Sequence, residues 1–180
     1  MAIEVVPYSP QWPRQFEHLA AGLRCALAGV PALIEHVGST AVPGLAAKPI
    51  IDVDVIVARE QLVPAIEALE RVGYVHRGDL GVTDREAFTA PDEDPACHVY
   101  ACVAGTLHVR NHLAVRDVLR ATDPGLRDRY AAVKLELAGD PEMDLRRYIA
   151  GKSAVLQEVL AVSDLTADEK RLIFELNRDD

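Results

Sequence analysis

Two aspartates, Asp52 and Asp54, stand one residue apart inside the apolar stretch IIDVDVIV. If this stretch is a β-strand, side chains two residues apart point to the same face, so both carboxylates project together. Neighbouring carboxylates in apolar surroundings repel each other and lose hydration, so a cation, basic side chains or protonation must compensate. Oxygen ligands favour Mg²⁺ or Mn²⁺, which predicts a metal site. The alternative is a strand end where the aspartates are solvated or paired with arginine.

The residues just before the aspartates suggest which kind of ligand would bind next to the metal. Gly38 and Ser39 follow a short apolar segment, and Lys48 stands between them and the aspartates. A glycine lets an anion approach the backbone, and a serine hydroxyl with free N–H groups at a helix start can bind phosphate. Lys48 supplies a positive charge for the same anion. The pattern favours a phosphate-bearing ligand next to a metal.

The elements that must position these residues can be predicted from periodicity. Residues 10–29 have the spacing of an amphipathic helix that ends at a glycine, and residues 59–73 predict a second helix. The β-branched run at 48–58 predicts a strand, central in its sheet because both of its faces are apolar. Short apolar runs predict the further strands, at residues 32–37, 74–77, 86–90, 98–104 and 106–111.

From His112 onward the pattern is helical. Asp123-Pro124 and Asp140-Pro141 each combine an N-cap residue with a proline for the first helical position, and Thr166 to Glu169 has the spacing of a capping box. We therefore expect an α+β protein with a mixed β-sheet, flanking helices and a C-terminal helical bundle. We expect one domain over residues 1–180, with an α/β half at about 1–110 and a helical half at about 111–180.

The composition of the chain excludes some classes of binding partner and location. The net charge is −9, which disfavours binding to bulk nucleic acid because that requires a basic face. No apolar run approaches the roughly 20 residues of a membrane span. The N-terminal residues do not have the pattern of a secretion signal, and the three cysteines lack a CxxC spacing. We expect a cytoplasmic protein with reduced thiols.

A strand, a Gly-Ser pair and a strand with Asp-x-Asp resemble the polymerase-beta-like nucleotidyltransferases. The similarity is closer to the GrpB family, whose signature is similar to EHVGSTAVPGLAAKPIIDVDVIV. It continues through YSPQWPRQFE, LERVGYVHRG, HLAVRDVLRATDPGLRDRYAAVKLELA and RRYIAGKSAVL, and covers roughly residues 7–160. The resemblance implies a nucleotidyltransferase-like fold. The insert between Ser39 and Asp52 belongs to the GrpB pattern and is longer than in the wider superfamily.

The resemblance also implies roles for residues. Asp52 and Asp54 would be catalytic and hold Mg²⁺ or Mn²⁺. Candidates for binding the nucleotide or its phosphates are Gly38, Ser39, Thr40, Lys48, Lys134 and Lys152. The superfamily's third carboxylate is not obvious in this sequence. Glu86 and His98 are the candidates for a third metal ligand, and a histidine there would favour a transition metal over Mg²⁺.

Other groups of residues give weaker evidence for a functional site. The segment AGKS at 150–153 resembles the end of a phosphate-binding P-loop, but Arg146 stands where a glycine is required and the pattern there is helical. His108 and His112 have i, i+4 spacing, but we expect a strand to pass into a helix between them, which argues against a zinc site. The candidates for contacting an acceptor are His36, Arg110, His112 and Arg116. Structural histidines and an arginine–Asp117 ion-pair network are the alternatives.

The sequence therefore predicts a metal-dependent nucleotidyltransferase that transfers a nucleotidyl group from an NTP to a small-molecule or protein acceptor. A second hypothesis is a non-catalytic nucleotide- or coenzyme-binding module related to coenzyme A metabolism. A third is structural, with the aspartates ion-paired to Lys48 and arginines.

Overall fold

The structure is a computed structural model that describes residues 3–121 and 124–179, so Asp123 lies outside the described residues. The described chain forms two compact units, each discontinuous in sequence. One contains a β-sheet and comprises residues 10–37 and 50–109. The other is mainly helical and comprises the N-terminal residues to 9, residues 38–49 and the chain from 110 onward.

The sheet unit carries five strands and two helices, with α3 beginning at its last residues. Its strand order is β1-β2-β5-β4-β3, in which β2 and β5 are parallel and the other neighbours are antiparallel. The predicted mixed sheet is thus confirmed, and β2 pairs on both of its edges. The elements are α1 (Trp12–Ala26), β1 (Ala32–Val37), β2 (Ile51–Val57), α2 (Leu62–Arg71), β3 (Val75–His76), β4 (Arg85–Thr89) and β5 (Cys97–Val103).

The helical unit contains most of α3 (Leu107–Ala121) and four further helices. These are α4 (Pro124–Ala138), α5 (Leu145–Gly151), α6 (Ser153–Ala161) and α7 (Ala167–Asp179). Its apolar core also includes residues from the segment that follows β1, because Val42 and Leu45 are buried among residues of α3, α4 and α6. Burial of large aliphatic side chains contributes about 1.5–3 kcal/mol each, which fixes this segment in the helical unit.

Two local predictions are wrong. Residues 106–111 do not form a strand, since α3 begins at Leu107 and Val109 and Leu113 continue the helical spacing of the residues after them. A short apolar run does not distinguish the two structures by itself. The second error is the helix start at Asp140-Pro141. The cap of α5 is Asp144, whose Oδ1 accepts a hydrogen bond from the N–H of Arg147 at 2.8 Å.

The capping box before α7 is confirmed. The N–H of Thr166 donates to Glu169 Oε2 at 2.8 Å, and the N–H of Glu169 donates to Thr166 Oγ1 at 3.3 Å. The bond from the Thr166 N–H to the charged carboxylate, more than any other cause, lowers the pKa of Glu169.

Candidate functional site

Asp52 and Asp54 lie on β2 and face the same side of the sheet. Val53 and Val55, between and beyond them, are fully buried on the other side. Asp54 is 0% exposed, whereas the Asp52 side chain is 32% exposed. The two carboxylates share a face, as the period of two predicted, but one lies inside the protein and the other at its surface.

His98 is the neighbour of Asp52 on the adjacent strand. The two residues are paired in the parallel register of β2 and β5, and His98 Nδ1 lies 2.9 Å from Asp52 Oδ1. The imidazole is 49% exposed. The structure therefore brings together three of the predicted metal-site residues on one face of the sheet: Asp52, Asp54 and His98.

Asp54 lies in a more apolar environment. Its register partner on β5 is Tyr100. Burial, and next the charge of Asp54, raises the pKa of the Cys102 thiol, so this thiol stays protonated and is not a nucleophile. Burial is also the main cause that raises the pKa of Tyr100. The Arg85 guanidinium carbon lies 4.7 Å from the centre of the Tyr100 ring.

The sheet register separates the other two sheet candidates from the aspartates. Glu86 pairs with Ala101, which pairs with Val55, so Glu86 lies on the valine face, the side of the sheet that carries Val53 and Val55. The Glu86 Oε2 atom lies 2.7 Å from His76 Nε2. His36 pairs with Val53 and is on that face as well. Its ring stacks on Phe16 with 4.6 Å between ring centres. Neither residue is brought to Asp52 and Asp54.

Sequence reasoning missed three residues that share the aspartate face. Glu35 pairs directly with Asp54 in the antiparallel register of β1 and β2, and Tyr100 and Arg85 follow across β5 and β4. The only sequence signal for these residues was the alternation of side chains along each strand. Alternation assigns a residue to a face only once the register between neighbouring strands is known.

Gly38 and Ser39 begin immediately after β1. Gly38 has φ 71° and ψ −172°, a combination that is essentially restricted to glycine. Ser39 to Ala41 form a single 3₁₀ turn, so the expected helix start is only three residues long and supplies no helix dipole. Ser39 is half-buried, but Thr40 is 1% exposed. Of this trio, Ser39 offers the accessible hydroxyl.

Basic side chains of the helical unit hold the segment that follows. Lys134 Nζ donates to the carbonyl of Ala46 at 2.6 Å, and Arg120 Nε donates to the carbonyl of Ala41 at 2.9 Å. Lys134 is 2% exposed, so it is a buried lysine and not a solvated one.

Lys48 and Lys152 lie against one aromatic ring. Their Nζ atoms are 5.5 Å and 4.6 Å from the centre of the Tyr148 ring, and both lysines are half-buried. Tyr148 is 1% exposed, and burial is the main cause that raises its pKa. The Tyr148 ring thus lies next to two positively charged side chains whose residues are 104 positions apart in the sequence.

The acceptor-side candidates of α3 lie in the helical unit. Arg110 Nη1 is 3.1 Å from Glu169 Oε1, and Arg116 Nε donates to Asp117 Oδ1 at 2.7 Å. Arg110 and Asp117 line a cavity of about 490 Å³ with apolar walls from α3. His112 lies on α3 together with His108, so the expected change from strand to helix between the two histidines is wrong.

Within residues 3–121 and 124–179, no three His, Cys, Asp or Glu side chains converge as the ligands of a preformed metal centre. The chemistry of the donor set at β2 and β5 nevertheless suits a divalent cation, because Mg²⁺ is commonly bound by one or two carboxylates that share it with substrate phosphates. Also within these residues, no helix has the length and apolarity needed to cross a bilayer.

A family model described as "GrpB protein" matches residues 2–162. The chain belongs to the GrpB family. A UPF0157 protein of Halalkalibacterium halodurans is 36% identical over 92% of this chain and 84% of its own length. This GrpB chain spans less than half of some longer relatives: 44% of UPF0157 protein YqkA of Bacillus subtilis, and 43% of a dephospho-CoA kinase of Mycolicibacterium paratuberculosis that is 29% identical.

Solved structures agree on the fold. The crystal structure of GrpB from Enterococcus faecalis has a TM-score of 0.74 and 34% identity, covering 88% of this chain and 98% of that one. A structure of the Cid1 poly(U) polymerase has a TM-score of 0.60 over 85% of this chain and 49% of that one. At 14% identity the second likeness shows the fold alone. The nucleotidyltransferase-like fold is therefore confirmed.

Proposed function

We propose that this GrpB chain is a metal-dependent nucleotidyltransferase that moves a nucleotidyl group from an NTP to a small-molecule or protein acceptor. The observation that carries the proposal is the pair Asp52 and Asp54, directed to one face of β2, an inner strand of a nucleotidyltransferase-like sheet. A buried carboxylate such as Asp54 costs free energy unless charge nearby compensates it, and a cation supplies that compensation.

Each residue has a distinct proposed role. Asp52 and Asp54 hold Mg²⁺ or Mn²⁺, with His98 beside them. The bound metal would stabilise the charge that develops on the transferred phosphoryl group. Ser39 contributes its hydroxyl to the phosphates, and Gly38 allows the close approach of the backbone. Lys48 and Lys152 neutralise the phosphate charge.

Lys134 receives a different role in this proposal. Its ammonium is committed to the Ala46 carbonyl, and it lies 5.4 Å from the centre of the Tyr130 ring. We assign it to holding the segment that contains Ser39 and Lys48, and not to contacting the nucleotide.

The acceptor would meet residues of α3. Arg110 and Arg116 carry guanidinium groups suited to phosphate or carboxylate, although each is engaged by an acidic side chain. His112 is the third candidate. An anionic acceptor would have to compete with Glu169 for Arg110.

The second candidate function is a non-catalytic nucleotide- or coenzyme-binding module. One argument for it is that a dephospho-CoA kinase is among the relatives. Another is that His98 is paired with Asp52, where the superfamily resemblance leads us to expect a third carboxylate. Kinase chemistry is not proposed for this chain, because AGKS at 150–153 lies at the junction of α5 and α6 and not after a strand.

Thermal unfolding with each NTP, with and without Mg²⁺ or Mn²⁺, tests the binding that both functions require. A ligand at 100 times its dissociation constant adds about 2.7 kcal/mol of stability. We expect a metal-dependent shift that Asp52→Asn abolishes. Equal shifts in the wild type and Asp52→Asn would contradict both functions, and metal-dependent binding without turnover would contradict the transferase.

A further inference from the structure

We propose that the cavity along α3 binds a small cation with an apolar body, such as a primary amine on an aliphatic or aromatic chain. The cavity lies within the helical unit and has a volume of about 490 Å³. Cavities of this size commonly hold small molecules. The inference goes beyond the proposed function, because it requires neither a metal nor a nucleotide.

One wall of the cavity is a single face of α3. The lining residues of this helix recur at intervals of three and four positions, as residues on one side of a helix do. They are Arg110, Leu113, Ala114, Asp117, Val118 and Ala121. Most of them are apolar, so this wall favours a ligand with an apolar body.

The connection between α6 and α7 supplies the other lining residues, Val162, Ser163 and Asp164. Hydrogen bonds fix this connection, because Ser163 Oγ donates to the carbonyl of Leu160 at 2.7 Å and Lys170 Nζ donates to the carbonyl of Ser163 at 3.2 Å. Val162 is nevertheless 60% exposed. A ligand that covers this apolar side chain gains free energy by removing it from water.

The charged side chains at the cavity favour a cation. Arg110 Nη1 lies 3.1 Å from Glu169 Oε1, so the guanidinium is already paired. Asp117 Oδ1 accepts a hydrogen bond from Arg116 Nε at 2.7 Å. Asp164, the third charged lining residue, has no ion-pair partner in the part of the chain that the structure describes. A carboxylate that is not paired, beside apolar walls, attracts an ammonium group and repels an anion.

The test titrates the full chain, labelled with ¹⁵N, with three probes that share one carbon skeleton: 4-phenylbutylamine, 4-phenylbutanol and 4-phenylbutyrate. Changes in amide chemical shifts measure the dissociation constant and locate the binding site. We expect the amine to shift the signals of Leu113 and Ser163. The amine should bind about tenfold more tightly than the alcohol, and the carboxylate should bind most weakly.

Asp164→Asn should lower the affinity for the amine by about tenfold and leave the affinity for the alcohol unchanged. Asp168→Asn is the matched control, because the Asp168 side chain is 85% exposed, pairs with Arg171 and does not line the cavity. This variant should keep both affinities.

A second variant, Ala121→Phe, should weaken the binding of all three probes, because a larger side chain at this lining position fills part of the cavity. Ala121 is exposed, so the protein should tolerate the substitution. Circular dichroism confirms that each variant is folded.

Equal binding of the amine and the carboxylate overturns the inference, as does an affinity for the amine that Asp164→Asn leaves unchanged. Absence of amine binding up to about 10 mM also overturns it, as do shifts confined to residues outside α3 and the α6–α7 connection. None of these outcomes depends on nucleotidyl transfer, so the two proposals are tested separately.

Discussion

Lys134 donates from Nζ to the carbonyl oxygen of Ala46 at 2.6 Å while only 2% of the residue is exposed. A helix of the helical unit is thereby tied to the loop that carries Ser39 and Lys48, since residues 38–49 belong to the same unit. A buried ammonium is costly unless it is satisfied, so this bond fixes where the loop runs. This hydrogen bond predicts that replacing Lys134 and replacing Lys48, two lysines in segments that resemble the GrpB family, have different effects on the protein.

Lys134→Met should lower the free energy of unfolding by about 1–3 kcal/mol, because the Ala46 carbonyl loses its charged donor. Lys48→Met should change stability by less than about 0.5 kcal/mol but weaken nucleotide binding. Urea titrations and nucleotide titrations of both variants make the comparison. Similar losses of stability in the two variants would contradict the division of roles.

Gly38→Ala should destabilise the protein by about 1–3 kcal/mol, because φ 71° with ψ −172° is a conformation that alanine adopts only under strain. Gly22→Ala is the control. Gly22 lies within α1, and a Cβ added there meets nothing within 4 Å. Alanine there should stabilise by about 0.5–1 kcal/mol. Chemical denaturation measures both, and a neutral Gly38→Ala would show that the loop relaxes.

Asp84 provides a prediction for the effect of pH. Both nitrogens of the Arg59 guanidinium end donate to its carboxylate at 2.6 Å, and this bonding lowers the pKa of Asp84 from its ordinary 3.8. A lowered folded-state pKa means that the pair contributes stability above the ordinary pKa and loses it as pH falls through the lowered value. Urea midpoints from pH 6 downward should show the wild type losing its advantage over Asp84→Asn.

Asparagine is a suitable replacement at this position because Asp84 has φ 66°, which asparagine tolerates better than most residues. An advantage of the wild type that stayed constant down to pH 2 would contradict the role of the carboxylate charge.

The sequence predicted the parts of the fold that strong periodicity specifies. The strands at β1, β2 and β5, helix α1 and the Thr166–Glu169 capping box are where apolar alternation, helical spacing and cap chemistry placed them. Asp52 and Asp54 share a face, as a period of two requires. The start of α3 was not predictable, because a short apolar run is compatible with both structures.

The rest of the candidate site depends on long-range pairing. Whether His36 or Glu35 shares a face with Asp54 is decided by the register of β1 against β2, which leaves no local trace in the sequence. The same holds for Glu86, which the register places with Val55. The burial of Lys134 depends on a carbonyl 88 residues earlier in the chain.

Asp52→Asn and Asp54→Asn should each lower nucleotidyl transfer by a factor of at least about 100, since each removes a negative charge that holds the metal. The substitutions preserve side-chain size, so the free energy of unfolding should not fall in parallel with activity. Pyrophosphate release and thermal unfolding, measured on the same preparations, check this. Loss of activity that follows loss of folded protein would contradict the proposed role.

The most direct test of the transferase proposal is the transfer of label from α-labelled NTPs. Wild-type protein is incubated with Mn²⁺ or Mg²⁺ and a cell extract that supplies small-molecule and protein acceptors, with Asp52→Asn in parallel. We predict pyrophosphate release and label on an acceptor with the wild type, and neither with the variant. A metal-dependent complex with an NTP that yields neither product with any of the four NTPs would contradict the transferase.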